Sequence, residues 1–339
     1  MALKDIQGQD SAVEFFRNSI NRKRLAQVYL FSGAQGVGKT LAARNLAKIL
    51  NCETPVKDGD MLIDCCDSCV SCRKIENSNH PDIHWIAGGE QGEKISIDDI
   101  RAAQKKIYLK NLEGRVRIFI ILEAQEMTPQ AANSLLKSME ELPASCLIIL
   151  TSSNIGGLLN TIISRCQIVR FVAFERGCLS KILIEQYQID PGEARFLSLA
   201  SEGRLGRALE LKEKNALSVK NRLIEQLRDT GHFTLGADIF NVKDKKEMAV
   251  QLGLLLNWFR DILVVKAALA RNSDIGLNII NSDKMEQLKE YSRLWAYSQI
   301  EAAISKIDET YRLLDQNINA RIAVEAMLAG LKNAGSSLS

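Results

Sequence analysis

Residues 33–40 read Gly33-Ala34-Gln35-Gly36-Val37-Gly38-Lys39-Thr40, a glycine-rich segment that ends in a lysine and a threonine. An apolar, β-rich run precedes it, from Val28 to Phe31, and a helical pattern follows, from Leu41 to Leu50. The pattern G-x-x-x-x-G-K-[ST] between a strand and a helix is typical of a phosphate-binding loop. Its glycines let consecutive backbone N–H groups turn toward the phosphate, and the helix N-terminus adds positive potential. The sequence therefore predicts a nucleotide site.

The predicted nucleotide is ATP or ADP. Within the loop, Lys39 is expected to reach the outer phosphates, and the Thr40 hydroxyl is able to ligate magnesium. A chance glycine-rich turn is the alternative, but at average amino-acid usage such a match arises about once in a hundred chains of this length. The residues predicted to contact the nucleotide are Gly33, Gln35, Gly36, Val37, Gly38, Lys39, Thr40 and Leu41.

A second apolar run, Ile118 to Leu122, bears on hydrolysis. Sites of this kind take their magnesium through an acidic residue at the end of such a strand, and a following glutamate orients the attacking water. Here Leu122 stands at the metal-binding position, although Glu123 follows it. Because leucine offers no ligand, we expect hydrolysis to be impaired much more than nucleotide binding, and magnesium binding to be doubtful. In the alternative, Glu123 both holds the metal and positions the water.

Five of the eight cysteines fall between Cys52 and Cys72. Cys66, Cys69 and Cys72 have C-x-x-C-x-x-C spacing, and with Cys52 they supply enough thiolates for a tetrahedral zinc ion. A bacterial iron–sulfur pattern would need a fourth cysteine at position 76, which is Glu76. The sequence therefore favours a structural zinc site. Cys65 could replace Cys66 as a ligand, and free reduced cysteines are the alternative.

Composition limits the class of protein. The chain has 339 residues, a length that predicts two or three domains, and its 46% apolar and 25% charged residues are typical of soluble globular proteins. A net charge of +3 is too small to indicate a protein that coats nucleic acid. The most apolar stretch, Met248 to Phe259, is shorter than the roughly 18 residues of a membrane span. The N-terminus lacks a signal-peptide pattern, so we expect a cytoplasmic protein without a membrane partner.

The first 170 residues alternate short apolar runs with helical patterns, which predicts a parallel sheet with helical crossovers. Helix starts are expected at Ser96, which begins a capping-box pattern, and at Thr128, which precedes a proline. No proline follows Pro191, so the remainder is predicted to be helical. The strands are expected at Val28 to Phe31, Ile83 to Ala87, Val116 to Leu122, Leu147 to Thr151 and Ile168 to Phe171.

Arg165 lies in Ser164-Arg165-Cys166, just before the last predicted strand. An arginine at such an edge is usually solvated or salt-bridged. In a phosphate-loop fold, however, it can reach across an interface to the γ-phosphate bound by a neighbour, where a planar cation stabilises the transferring charge. Both interpretations are compatible with the residue pattern alone.

Taken together, the motifs and their order resemble a bacterial DNA polymerase III clamp-loader subunit of the AAA+ superfamily. The resemblance spans nearly the whole chain and implies an α/β P-loop parallel sheet domain with a zinc-binding insert, a small helical lid and an all-α C-terminal collar. The implied bounds are 1–172, with the insert at 52–72, then 173–233 for the lid and 234–335 for the collar. The motifs are Gly8-Gln9, Tyr29 to Gly33, the glycine-rich loop, the cysteine insert, His80-Pro81-Asp82, Ile97 to Arg101, Asn133 to Lys137 with Glu140-Glu141, Ser164 to Cys166, and Asn319 to Glu325.

Two kinds of subunit compete within this family. The gamma/tau ATPases are expected to carry Asp-Glu-Ala-His where this chain has Leu122-Glu123-Ala124-Gln125. The delta-prime type tolerates that loss and keeps the zinc insert and the Ser-Arg-Cys arginine, so it fits better. The resemblance then implies a stator that presents Arg165 to a neighbouring ATPase in a hetero-pentamer with gamma/tau and delta subunits, which loads the sliding clamp onto primed DNA.

Two rivals remain open. A gamma-like subunit would hydrolyse ATP itself, with Glu123 positioning the water. A zinc-dependent nucleic-acid-binding module would explain the cysteines but would leave the phosphate loop and the helical collar without a role. The collar prediction also has support outside the resemblance, because residues 247–270 carry a wide apolar face. Burial of that face inside its own domain is the default explanation.

Overall fold

Seven strands and fourteen helices form in the computed structural model of the chain, which describes residues 6–89, 93–228, 240, 244–271, 279–315 and 319–335. The strands are β1 (Val28–Ser32), β2 (Val56–Asp58), β3 (Met61–Asp64), β4 (Ile83–Ile86), β5 (Arg117–Ile121), β6 (Cys146–Ser152) and β7 (Gln167–Arg170). The helices are α1 (Asp10–Asn21), α2 (Lys39–Asn51), α3 (Val70–Glu76), α4 (Ile97–Ile107), α5 (Pro129–Glu140), α6 (Asn160–Ile163), α7 (Arg176–Tyr187), α8 (Pro191–Ala200), α9 (Leu205–Glu213), α10 (Ala216–Arg228), α11 (Lys245–Ala270), α12 (Met285–Leu294), α13 (Tyr297–Asp315) and α14 (Ala320–Gly335).

Five strands form one sheet in the order β4-β5-β6-β1-β7, and all its neighbouring strands run parallel. β1 lies between β6 and β7, with Tyr29 beside Ile149 on one side and Gln167 on the other. The expected fold class is confirmed: a parallel α/β sheet with a phosphate-type loop after β1, followed by an all-helical region.

The sheet is buried on both faces because its strands alternate their side chains between two apolar layers. In β1, Tyr29 and Phe31 pack with α1 and α2, whereas Val28 and Leu30 pack with α4 and α5. β5 and β6 divide in the same way. Every residue of β1, β5 and β6 is buried, so these strands read as continuous apolar runs rather than as an alternating pattern.

The helices α4 and α5 begin where the residue pattern predicted. Ser96 caps α4 with a full capping box, in which its hydroxyl accepts from the N–H of Asp99 and the Asp99 carboxylate accepts from the N–H of Ser96. Thr128 caps α5, and Pro129 occupies the first helical position. These caps satisfy backbone donors that a helix start would otherwise leave unpaired.

The insert between α2 and β4 contains an antiparallel hairpin, β2 and β3, that the sequence did not predict. α1 holds this hairpin through the Asn21 side chain, which donates to the carbonyl of Leu62 and accepts from its N–H. Arg17 donates to the carbonyl of Ile63 at 3.1 Å. The hairpin is thus held by side-chain hydrogen bonds to its main chain, together with packing of Leu62 against the apolar layer of α1 and α2.

Residues beyond 173 form a separate compact unit, and the two units are Met1–Ala173 and Phe174–Ser339. The second unit packs around α11, whose Leu252, Leu255 and Phe259 are buried in its apolar core. The apolar face expected on residues 247–270 is therefore used inside this unit. α11 is also the one described helix that is long and apolar enough to cross a membrane, but 61% of its apolar window is buried inside the structure, as in the core helix of a globular protein.

The division of the second unit into a lid at 173–233 and a collar at 234–335 stays a prediction. Its boundary, and the expected start of the second helical block near Thr234, lie outside the described residues. Helices α7 to α10 come before this boundary in the chain, and α11 to α14 come after it.

A buried ion pair fixes the loop between α4 and β5. Asp82 is fully buried, and its carboxylate accepts hydrogen bonds from the N–H groups of Leu112, Glu113 and Gly114 and from Nη2 of Arg117 at 2.8 Å. Burial alone would raise the pKa of Asp82, but these donors hold it well below its usual range. The Arg117 guanidinium in turn donates to main-chain carbonyls at the end of α4 and in the loop that follows it.

We expect Asp82→Asn to lower the free energy of unfolding of the first unit by about 3 kcal/mol or more, because it leaves a buried guanidinium without its counter-ion. Glu113→Gln, at the exposed pair with Lys74, is the matched control and should cost less than about 1 kcal/mol. Chemical denaturation at pH 7 measures both.

The pH dependence follows from the depressed pKa of Asp82. Its contribution to stability is complete above the ordinary carboxyl pKa of about 4, and it is lost as the pH falls through the lower folded-state value. The difference between wild type and Asp82→Asn should therefore shrink below about pH 4. Equal stability of the two proteins at pH 7 would contradict the role given to this pair.

Candidate functional site

The glycine-rich loop connects β1 to α2, as the residue pattern predicted. Gly36 and Gly38 have φ values of 83° and 100°, which residues with a Cβ rarely adopt, so the turn depends on glycine at both positions. α2 begins at Lys39 with Gly38 as its N-cap residue, and the first backbone N–H groups of the helix therefore lie beside the loop. This arrangement can bind an anionic phosphate group.

Gln9 fastens the loop to the end of β7. Its side-chain amide donates to the carbonyls of Val37 and Val172 at 3.2 and 2.7 Å, and its oxygen accepts from the N–H of Val172. The side chain is almost completely buried, at 3% exposure. The sequence showed Gly8-Gln9 only as part of a family resemblance, and its structural role depends on partners as far as 163 residues away.

Lys39 is buried and turned into the loop. Its Nζ donates to the carbonyl oxygens of Gly33 and Ala34 at 2.6 and 3.0 Å and lies 3.4 Å from Oε1 of Glu123. Burial lowers the pKa of Lys39, and the Glu123 carboxylate partly opposes that effect. The structure thus brings together the two predicted charged groups, one from the start of α2 and one from just after β5.

Leu122 occupies the position just past the end of β5 where a carboxylate would hold a metal. Its N–H donates to the carbonyl of Ile86, and its side chain packs against the apolar layer that contains α2. The side chain is therefore partly buried against this layer and contributes no oxygen beside Lys39. Glu123 supplies the carboxylate nearest to Lys39 among the described ion pairs.

Glu123 is held by several neighbours. Its Oε2 accepts from the Gln125 side chain at 2.8 Å and from the N–H of Ser153 at 3.1 Å, and its own N–H donates to Thr151 Oγ1. Burial raises the pKa of Glu123, but these hydrogen bonds and the charge of Lys39 bring it below its ordinary value. The carboxylate is therefore ionised at neutral pH and oriented toward its partners. Gln125 was noted in the sequence only as a departure from the gamma/tau pattern.

The four cysteines predicted as metal ligands lie together. Their Sγ atoms are all within 4.8 Å of one another, and those of Cys52 and Cys66 are 3.5 Å apart. A zinc ion with Zn–S bonds of about 2.3 Å separates tetrahedral sulfur ligands by about 3.8 Å, so this group can close around one ion with small movements. Hydrogen bonds from the side chain of Thr54 and from nearby N–H groups lower the pKa of Cys66 to about 5, which favours its thiolate, whereas burial raises the pKa of the Cys52 and Cys72 thiols.

Cys65 does not belong to this group. It is buried, its Sγ lies 3.5 Å from the carboxylate of Asp67, and burial together with nearby negative charge raises the pKa of its thiol to about 12. Next to it, the buried ammonium of Lys48 donates to the carboxylates of Asp67 and Glu76. This charged cluster links the C-terminal half of α2 to the insert.

Arg165 follows α6 and precedes β7, where its guanidinium contacts the carboxylate of Glu140 and the carbonyl of Thr161. Because β7 runs parallel to β1, Arg165 lies at the amino end of the sheet, whereas the loop leaves β1 at the carboxyl end. The five residues of β1 separate the two ends by roughly 16 Å. The structure therefore does not bring Arg165 to the loop of its own chain.

Comparisons with known proteins show which proteins this chain is similar to. A family model described as "DNA polymerase III, delta subunit" matches residues 8–175. The DNA polymerase III subunit delta' of Bacillus subtilis is 30% identical over 332 residues, which cover 96% of each chain. The subunit tau of the same organism is 29% identical over 292 residues, or 78% of this chain and 50% of tau. A solved gamma subunit-related protein of Thermotoga maritima aligns over 96% of this chain and 99% of its own, at 20% identity and a TM-score of 0.49.

The parallel sheet and the glycine-rich loop define a P-loop protein. The match to delta' covers 96% of each chain and shows that the chain belongs to the DNA polymerase III clamp-loader subunits. It resembles delta-prime along nearly its whole length. The family resemblance seen in the sequence motifs is confirmed.

Proposed function

We propose that this chain is a stator subunit of the DNA polymerase III clamp loader, one that binds ATP or ADP, hydrolyses it weakly or not at all, and lends Arg165 to a neighbouring ATPase subunit. The observation that carries the proposal is the side chain of Leu122, which packs, partly buried, against the apolar layer of α2 and supplies no oxygen at the position where an active site needs a metal ligand. The phosphate loop, by contrast, keeps Lys39, Thr40 and its helix N-terminus.

The position of Arg165 supports action on a neighbour. The guanidinium lies at the end of the sheet opposite the chain's own loop, and its side chain is 40% exposed. A cation placed there can stabilise the γ-phosphate of a nucleotide held by another subunit but not that of its own nucleotide. The partners under this proposal are gamma/tau and delta subunits in a hetero-pentamer, with the sliding clamp and primed DNA engaged through the complex. We also propose that residues 173–233 form the lid, that residues 234–335 form the collar, and that the protein is cytoplasmic.

The isolated chain should bind ATP with an affinity that falls at least about tenfold in Lys39→Ala, since the charged hydrogen bonds to phosphate are lost. Its steady-state ATP hydrolysis should stay at background, because Leu122 supplies no metal ligand. Binding of a fluorescent ATP analogue and release of phosphate measure the two properties. Brisk turnover by the purified chain that Lys39→Ala abolishes would instead establish the gamma-like alternative, with Glu123 at the reaction centre.

In the reconstituted complex, Arg165→Ala should slow hydrolysis at the facing ATP site by roughly 1000-fold, the usual contribution of such an arginine. The measurement is DNA-stimulated phosphate release, with assembly checked by gel filtration. Arg170→Ala is the matched control, since Arg170 is an exposed arginine at the other end of the same strand. Unchanged turnover in a fully assembled Arg165→Ala complex would remove the trans arginine from the proposal.

We further propose that Cys52, Cys66, Cys69 and Cys72 hold a structural zinc ion. When bound, zinc supplies a cross-link between the end of α2, the hairpin and α3, and it performs no step of nucleotide chemistry. All four positions of a tetrahedral ion would be taken by sulfur, which is typical of closed structural sites. The loop and the cysteines also lie at opposite ends of the 13-residue α2, a separation of about 20 Å.

Purified protein should contain one zinc per chain, and Cys69→Ser should lose the metal and lower the melting temperature. Cys65→Ser is the matched control, because the Cys65 sulfur lies outside the group, and it should keep the full zinc content. Metal analysis by mass spectrometry after gel filtration reads out both variants. Loss of zinc in Cys65→Ser with retention in Cys66→Ser would exchange the two ligands, and the absence of zinc from wild type would reject the site.

A further inference from the structure

The side chain of Arg165 forms an ion pair with one acidic residue, Glu140. Nε and Nη2 of its guanidinium both donate to Oε1 of Glu140, at 2.9 and 2.5 Å, and Nη1 donates to the carbonyl oxygen of Thr161 at 3.1 Å. A guanidinium has five N–H bonds in a fixed plane, and three of them take these partners. Among the described residues, the two that remain have no partner and are available to an external oxyanion.

Both sides of this contact are anchored in the same apolar layer. Glu140 is the last residue of α5, directly after the buried Met139, and Arg165 follows the short helix α6, whose Ile162 is fully buried. Met139 and Ile162 belong to one core cluster. The main chain therefore fixes the two attachment points, and only the outer atoms of the two side chains are free to choose a rotamer.

We propose that Glu140 is the positioning residue of Arg165: it holds the guanidinium in the orientation that presents the two remaining N–H bonds to the neighbour's nucleotide. This inference rests on the proposed trans role of Arg165. Glu140 does not touch the nucleotide, and its effect reaches the reaction only through the arginine.

Because the ion pair is exposed, positioning of Arg165 can be distinguished from stabilisation of the fold. The side chains of Arg165 and Glu140 are 40% and 53% exposed, and ion pairs this exposed add little to folding stability. A long arginine side chain loses several rotamers when it binds, however, and a partner that orders it beforehand removes that cost from the catalytic cycle. The carboxylate is thus expected to matter for the rate and hardly for the melting temperature.

The test uses the complete reconstituted complex and compares DNA-stimulated ATP hydrolysis in Glu140→Ala, Glu140→Gln and Glu141→Ala. We expect kcat to fall about three- to tenfold in Glu140→Ala, the cost of ordering one long side chain, with KM for ATP unchanged. Glu140→Gln keeps an oxygen that accepts from Nε and should recover most of the rate. Glu141→Ala removes the adjacent exposed carboxylate and should behave as wild type. In the Arg165→Ala background, Glu140→Ala should have no further effect.

Several outcomes would overturn the inference. A rate unchanged in Glu140→Ala makes the contact an ordinary surface ion pair, and a faster rate shows that Glu140 restrains the arginine rather than orienting it. An equal loss in Glu141→Ala assigns the effect to general surface charge. These results differ from failure of the proposed function, in which Arg165→Ala itself leaves turnover unchanged. If ATP hydrolysis is slow in Arg165→Ala and unchanged in Glu140→Ala, the trans role of Arg165 is supported and only the positioning role of Glu140 is rejected.

Discussion

Parallel pairing of β1 with β6 and β7 is the constraint on which the placement of the nucleotide-binding residues and Arg165 depends. Parallel strands bring all their carboxyl ends to one edge of the sheet and all their amino ends to the other. The first edge therefore collects the phosphate loop after β1, Glu123 after β5 and Ser153 after β6. The opposite edge carries Arg165 ahead of β7. One topology thus gives a single chain a phosphate-type loop at one edge of the sheet and an exposed cation at the other.

At the carboxyl edge, the buried ammonium of Lys39 is balanced by a carboxylate that is itself held by neutral donors. Glu123 accepts from Gln125 and Ser153, while the adjacent Leu122 turns into the apolar layer. A site built in this way retains a positive charge for phosphate but offers few free oxygens to a divalent cation. This separation of phosphate binding from metal binding is the physical basis on which a stator role is preferred to an ATPase role.

The residue pattern was sufficient for the sheet, since every central strand is a buried apolar run and the loop motif fixes the order of strand and helix. It also predicted that Cys66, Cys69 and Cys72 lie together with Cys52, but it left Cys65 as an alternative to Cys66, and only the positions of the sulfur atoms separate these two. It did not reveal the hairpin of the insert, whose first strand, Val56–Asp58, is exposed along its length and carries no apolar alternation. It also missed the contacts of Gln9 and Glu140, whose partners lie 163 and 25 residues away and leave no local signal.

The insert has one property that bears on how such a subunit could be remodelled. The side chains of Asn51, at the end of α2, and of His80, shortly before β4, both lie beside Gly114, so the two ends of the insert contact the same loop of the first unit through their side chains. Removing the insert would leave Lys48, which is 1% exposed, without the carboxylates of Asp67 and Glu76. Removal of the cysteine-containing insert therefore also calls for a neutral residue at position 48, because a buried ammonium without a counter-ion is strongly destabilising.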